Sequence, residues 1–147
     1  MAASAWKIYS EAKKYLVQAE LDLDAGGIRV KLVNGTSAAK VSDFSRSTFA
    51  SCGGPVAVSG AGNNTRTPAN LSIRLSSTSI LVLDFDNVIF TASGALNSIL
   101  YAVIGVSGGK CLGWTKLTST GVITLTAGST LTITPNAAVF SLSGGST

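Results

Sequence analysis

An all-β fold, a jelly-roll or Greek-key sandwich led by one short helix, is what this 147-residue sequence predicts. Three observations predict it. Apolar and polar residues alternate at period two through most of the chain beyond residue 27. Turn formers interrupt that alternation about every eight to twelve residues, the rhythm of a sandwich or barrel. Charged residues make up only 12% of the chain and hydrophobic ones 46%. That balance excludes a disordered chain and leaves too few charges to solvate a helical bundle.

Residues 1–24 read as an N-terminal helical segment, and 25–147 as the β domain. Residues 4–20 hold the helix. Ser4 is placed to cap it, its hydroxyl accepting a backbone N–H of the first turn. Trp6, Tyr9, Leu16 and Glu20 share a stripe, with Ile8, Ala12, Tyr15 and Ala19 beside it, a face that either packs on the domain's own sheets or meets a partner. Lys7, Glu11, Lys14 and Gln18 take the opposite face, where Glu11 and Lys14 form a favourable i, i+3 pair. Gly26 and Gly27 stop the helix.

Residues 28–33 switch to strand periodicity, with Ile28, Val30 and Leu32 on one face and Arg29 and Lys31 on the other. Residues 34–70 are rich in Gly, Ser, Ala and Asn and contain Pro55 and Pro68. They read as a long surface excursion anchored by Phe44, Phe49 and residues 56–58. Long connections of this kind tend to be functional or to touch partners. Strands then follow at 71–75, 80–86, 88–91, 99–106, 111–117, 122–126, 130–134 and 139–142, separated by Ser, Gly and Pro-Asn turns. Residues 121–135 read as a hairpin with threonines on its wet face. Trp114, in mid-strand, reads as a core filler. Residues 87–109 carry no charge and are long enough to cross a bilayer. Asn87, Thr91, Ser93, Gly94, Asn97 and Ser98 divide them into strand, turn and strand instead.

The chemistry-bearing residues are few. Histidine is absent, so the commonest general base and metal ligand are both missing. Cys52 and Cys111 form no CxxC motif, which argues against zinc. One disulfide would suit an oxidising compartment, but two reduced, buried thiols are the preferred reading. Asp84, Asp86 and Asn87 invite a calcium site, yet calcium needs about six to eight oxygens and no acidic residue follows them. Two carboxylates at i and i+2 lie too close to flank a glycoside. A solvated face leading into a turn accounts for them better. The expectation is therefore no enzyme, no metal and no cofactor. Net charge is +4, with the basic residues scattered, so nucleic acid is not an expected partner. The N-terminus lacks the apolar core of a signal peptide. Without one, the sequons at Asn34 and Asn70 carry no meaning.

Several blocks resemble a known group. They are MAASAWKIYSEAKKYL (1–16), AELDLD (19–24) before the 28–33 strand, LDFDNVIFTASG (83–94), SILYAVIG (98–105) and TAGSTLTITPNAAVFSLS (126–143). Together they resemble small virion proteins of tailed bacteriophages, in which a short helix precedes an all-β domain. Members resemble jelly-roll cement, or decoration, proteins that dock on an assembled capsid as oligomers. The resemblance implies a place on the capsid surface of a virion assembled in the host cytoplasm. It implies the major capsid protein and further copies of the chain, as a dimer or trimer, as partners. The alternative it leaves is a tail structural or receptor-binding β-sandwich. Beyond Arg74 the only charges are Asp84, Asp86, Lys110 and Lys116, which also points to surfaces covered by association. The expected partner contacts are Trp6, Tyr9, Lys13 and Lys14 on the helix, and Phe44, Arg46 and Phe49 in the excursion.

Overall fold

The structure is a computed structural model that describes residues 6–18, 23, 27–34, 49, 65–77, 80–135 and 140–143. Its strands form antiparallel sheets in a sandwich-like arrangement, with one short helix. In chain order the elements are β1 (Lys7–Ile8), α1 (Ser10–Val17), β2 (Ile28–Asn34), β3 (Thr65–Arg66), β4 (Ser72–Ser77) and β5 (Ile80–Asp84). Then come β6 (Val88–Thr91), β7 (Leu96–Val106), β8 (Cys111–Lys116), β9 (Ile123–Leu125), β10 (Thr130–Ile133) and β11 (Phe140–Ser143).

The largest sheet runs β1-β8-β7-β2-β3, with β9 also paired to β7. The long strand β7 is its spine: Ile28–Asn34 pairs along it on one side, and β8 and β9 pair with it in turn. The β7–β8 hairpin closes through Gly108, whose φ of +70° only glycine adopts cheaply. Alternation puts Ile28, Val30, Leu32, Ala102 and Ile104 on the inner face, all buried. The inner face meets Leu83, Phe85, Val88, Phe90, Leu131 and Ile133 from the second layer in one hydrophobic cluster. Fully burying one such side chain contributes roughly 1.5–3 kcal/mol.

The second layer is a broken ribbon. β10 pairs with β6, and β11 pairs with β5, which also carries β4. Thr91 faces Thr130 and Val88 faces Ile133; beyond the break, Leu83 faces Phe140 and Ile80 faces Ser143. Four residues, 84–87, separate the paired stretches on one chain segment, and six, 134–139, on the other. The register therefore slips by two, an even number, and the alternation of faces survives the break.

Three sequence expectations change. The helix begins at Ser10 rather than Ser4, because Trp6, Lys7 and Ile8 also satisfy period two and join β8 as a short strand. Tyr9 is the cap residue, without a side-chain capping bond. Residues 121–135 are not a hairpin: β9 pairs with β7 and β10 with β6, so the Gly128 turn carries the chain between layers. The facing was still legible, since Thr124 and Thr130 are exposed while Leu125 and Leu131 are buried. The uncharged 87–109 stretch is strand, turn and strand, and among the described residues no helix is long and apolar enough to cross a membrane.

Candidate functional site

The β8 edge of the large sheet gathers most of the molecule's described positive charge. Lys7 pairs with Trp114 and Ile8 with Gly113, and the Tyr9 N–H donates to the Leu112 carbonyl at 3.1 Å. So close an approach needs a glycine at 113, where an added Cβ would lie 2.6 Å from the Lys7 carbonyl oxygen. Alternation then sorts the side chains. Trp6 turns inward, its ring 6.2 Å from Phe85 in an edge-on contact, while Lys7 turns outward. The Lys7 ammonium sits 5.1 Å from the Trp114 ring centroid, and Trp114 meets Tyr101 edge-on at 5.7 Å. Trp114 is half-buried on this outer face and packs against the hydrophobic cluster, so it fills the core in part rather than wholly. It sits on the sheet side that carries Lys7 rather than on the face that meets the second layer.

Past Tyr9 the chain turns into α1 beside the hairpin tip. Tyr9 and Ala12 are fully buried, Tyr15 lies 4.2 Å beneath the Lys110 ammonium, and Lys13 and Lys14 are exposed. Val17 is 89% exposed, one turn from Lys13. Lys116, half-buried and in register with Tyr101, ends the edge. Lys7, Lys13, Lys14 and Lys116 thus lie on β1, α1 and β8, with Lys110 at the hairpin tip, and Glu11 is the one acidic residue among the described residues of those three elements.

Of the expected contact residues, Lys13 and Lys14 stand on this edge. Trp6 (8% exposed) and Tyr9 (1%) are spent on the chain's own core and offer no anchor. An apolar stripe packed on its own sheet has the same sequence signature as one facing a partner. Phe44 and Arg46 lie outside the described residues. Phe49 is buried rather than outward: its N–H donates to the Gly109 carbonyl at 2.8 Å, and its ring lies over Gly105, where a Cβ would come within 2.7 Å of it. The Lys31 ammonium donates to the Phe49 carbonyl at 2.6 Å and sits 4.8 Å from the ring centroid. Burial pulls the Lys31 amine from 10.5 down to about 8. Lys7, Lys110, Lys116, Trp114 and Val17 were missed. The alternation Trp6–Lys7–Ile8 was the signal that could have found the first.

The break in the ribbon forms a second feature, an open depression of about 500 Å³ lined by Asp84, Phe85, Asp86, Asn87 and Pro135. Its carboxylates have local uses. Asp84 accepts the Phe85 N–H at 2.9 Å, and Asp86 accepts from the Asn70 amide at 2.7 Å, with Asn70 at a φ of +50°. Among the described residues, no group of three or more His, Cys, Asp or Glu is placed to hold a metal ion. Two carboxylates fall short of a calcium shell.

Cys111 is fully buried and disulfide-bonded, against the expectation of reduced thiols; the chain's other cysteine, Cys52, lies outside the described residues. Spacing could not reveal the pairing, because a disulfide needs proximity in space rather than in sequence. No family model, no curated protein and no solved structure matches the chain.

Proposed function

We propose that this chain is a non-enzymatic cement protein of a bacteriophage particle, one that binds the assembled shell and stabilises it by bridging capsomers. The observation that carries the reading is the distribution of charge over an all-β body. From residue 80 to 135 the only charged residues are Asp84, Asp86, Lys110 and Lys116, while Ile89 and Val122 are half or more exposed. Such a surface favours association over solitary life. The resemblance of the 1–16, 83–94 and 126–143 blocks to small phage virion proteins names the kind of assembly. A protein that binds only the closed shell stabilises it by mass action. Symmetry repeats a modest interface many times over.

The test is the copy number of the chain in purified particles, by quantitative mass spectrometry against the major capsid protein, with the heat resistance of particles lacking it. Hundreds of copies and an earlier loss of DNA on heating are expected. Absence from the particle, or a handful of copies at the tail, overturns the proposal.

A further inference from the structure

We infer that the disulfide at Cys111 and the seating of Phe49 are the two halves of one redox-sensitive latch, which fastens the chain at position 49 to the β7–β8 hairpin and which a dithiol opens. The inference is independent of the cement reading and is tested on the isolated chain.

The first half is non-covalent. The Phe49 N–H donates to the Gly109 carbonyl at 2.8 Å, and the Phe49 carbonyl accepts from the Lys31 ammonium at 2.6 Å. Its ring lies over Gly105, where a Cβ would come within 2.7 Å of a ring carbon. The platform beneath is closed by its own bonds. The Val106 N–H donates to the Lys110 carbonyl and the Gly109 N–H to the Val106 carbonyl, both at 2.9 Å.

The second half is covalent. Cys111 is fully buried, disulfide-bonded and in register with Gly105, the residue that Phe49 covers. A Cβ on Gly105 would also lie 3.2 Å from the Cys111 Cα. The chain has one other cysteine, Cys52, so a bond made within the chain runs to it. Three residues span at most about 11 Å, so the aromatic contact and the bond grip one short stretch of chain against one glycine.

Two grips on one stretch are coupled. Phe49 seated on Gly105 raises the effective concentration of one sulfur at the other. The closed bond holds Phe49 in place by the same factor, because coupling between two equilibria is reciprocal. Reduction removes one half. A dithiol's thiolate attacks the disulfide, and its second thiol then displaces the protein sulfur from the mixed disulfide. The reductant leaves as a cyclic disulfide, and its two electrons and two protons stay on Cys52 and Cys111 as thiols. Phe49 is then held by two hydrogen bonds and a ring contact alone, and it lifts from Gly105 more often.

The test is amide hydrogen exchange of the full chain, oxidised and after reduction by excess dithiothreitol, together with the redox midpoint in dithiothreitol buffers. On reduction, exchange at Phe49 should speed up about tenfold or more while the amides of β7 keep their protection. Phe49→Ala should be half reduced at a dithiol-to-disulfide ratio about tenfold lower than wild type, with Phe49→Leu between the two. Leu131→Ala removes a side chain of the other layer that is as buried as Phe49, 6% exposed against 7%. It should keep the wild-type ratio, since it weakens the oxidised and reduced folds alike. Equal exchange at Phe49 before and after reduction overturns the latch, as does one ratio shared by wild type and the Phe49 variants. Loss of the whole fold on reduction also overturns it, making the bond a staple of the domain. A disulfide-linked dimer on a non-reducing gel does the same, because it puts the partner sulfur in a second copy.

Discussion

The β8 edge and the broken ribbon carry most of the charge in the described part of the molecule, and they use it in opposite ways. On the ribbon, Asp84 accepts the Phe85 backbone N–H and the exposed Asp86 accepts from the Asn70 side-chain amide, so both carboxylates hold their own loop. On the edge, Lys7 and Lys110 lean on aromatic rings, and Lys13 and Lys14 stand in solvent. The ribbon's acids hold a turn in shape. Of the edge's lysines, two are held by rings and two stand exposed on the helix. The difference shows that charged groups on one sandwich can be fixed by hydrogen bonds in one layer and by aromatic rings in the other.

That contrast can be broken first where the edge meets the Cys111 disulfide. Reduction, or Cys111→Ser, should lower unfolding free energy by about 2–4 kcal/mol in denaturant titrations, since a crosslink closing a long loop mainly restricts the unfolded chain. An unchanged midpoint would remove the disulfide from the account of the fold. A smaller loss is expected from Gly113→Val. Its added atoms would collide with the Lys7 carbonyl, forcing β1 away from β8 at about 1–3 kcal/mol. Hydrogen exchange should then speed up at Tyr9, whose N–H bonds the Leu112 carbonyl. The ribbon offers the contrasting case. Asp84→Asn with Asp86→Asn should shift stability by less than about 1 kcal/mol and leave shell binding intact, because both groups bond locally at a solvated face.

Lys31 sharpens the comparison through pH. Its amine titrates at about 8 in the folded chain and at 10.5 in the unfolded one. Between those values the unfolded chain holds the extra proton, so stability should rise as pH climbs from about 8 toward 10.5. Below pH 8 both states are protonated and the contribution is constant. Denaturant titrations of Lys31→Met across the same window should lack that rise.

The strands were legible wherever the cue was local. Val88–Thr91 and the turn glycines Gly108, Gly121 and Gly128, all at positive φ, follow from alternation and turn chemistry alone. What stayed hidden was non-local. Threonine alternation in β9 and β10 fixes which face is wet and says nothing of which strand lies alongside. Trp6 and Tyr9 lie on an apolar stripe whose direction depends on the sheet it meets. Of the site, Lys14 was readable as a position on the helix's polar face and Lys13 only as an expected contact beside it. Trp114 and Lys7 became a pair only through the β1–β8 register.

The most direct measurement is a reconstructed density map of the purified particle. The chain should sit in many copies on the outer shell, bridging adjacent capsomers. Density at the tail alone, or a shell with no copies between capsomers, would contradict it.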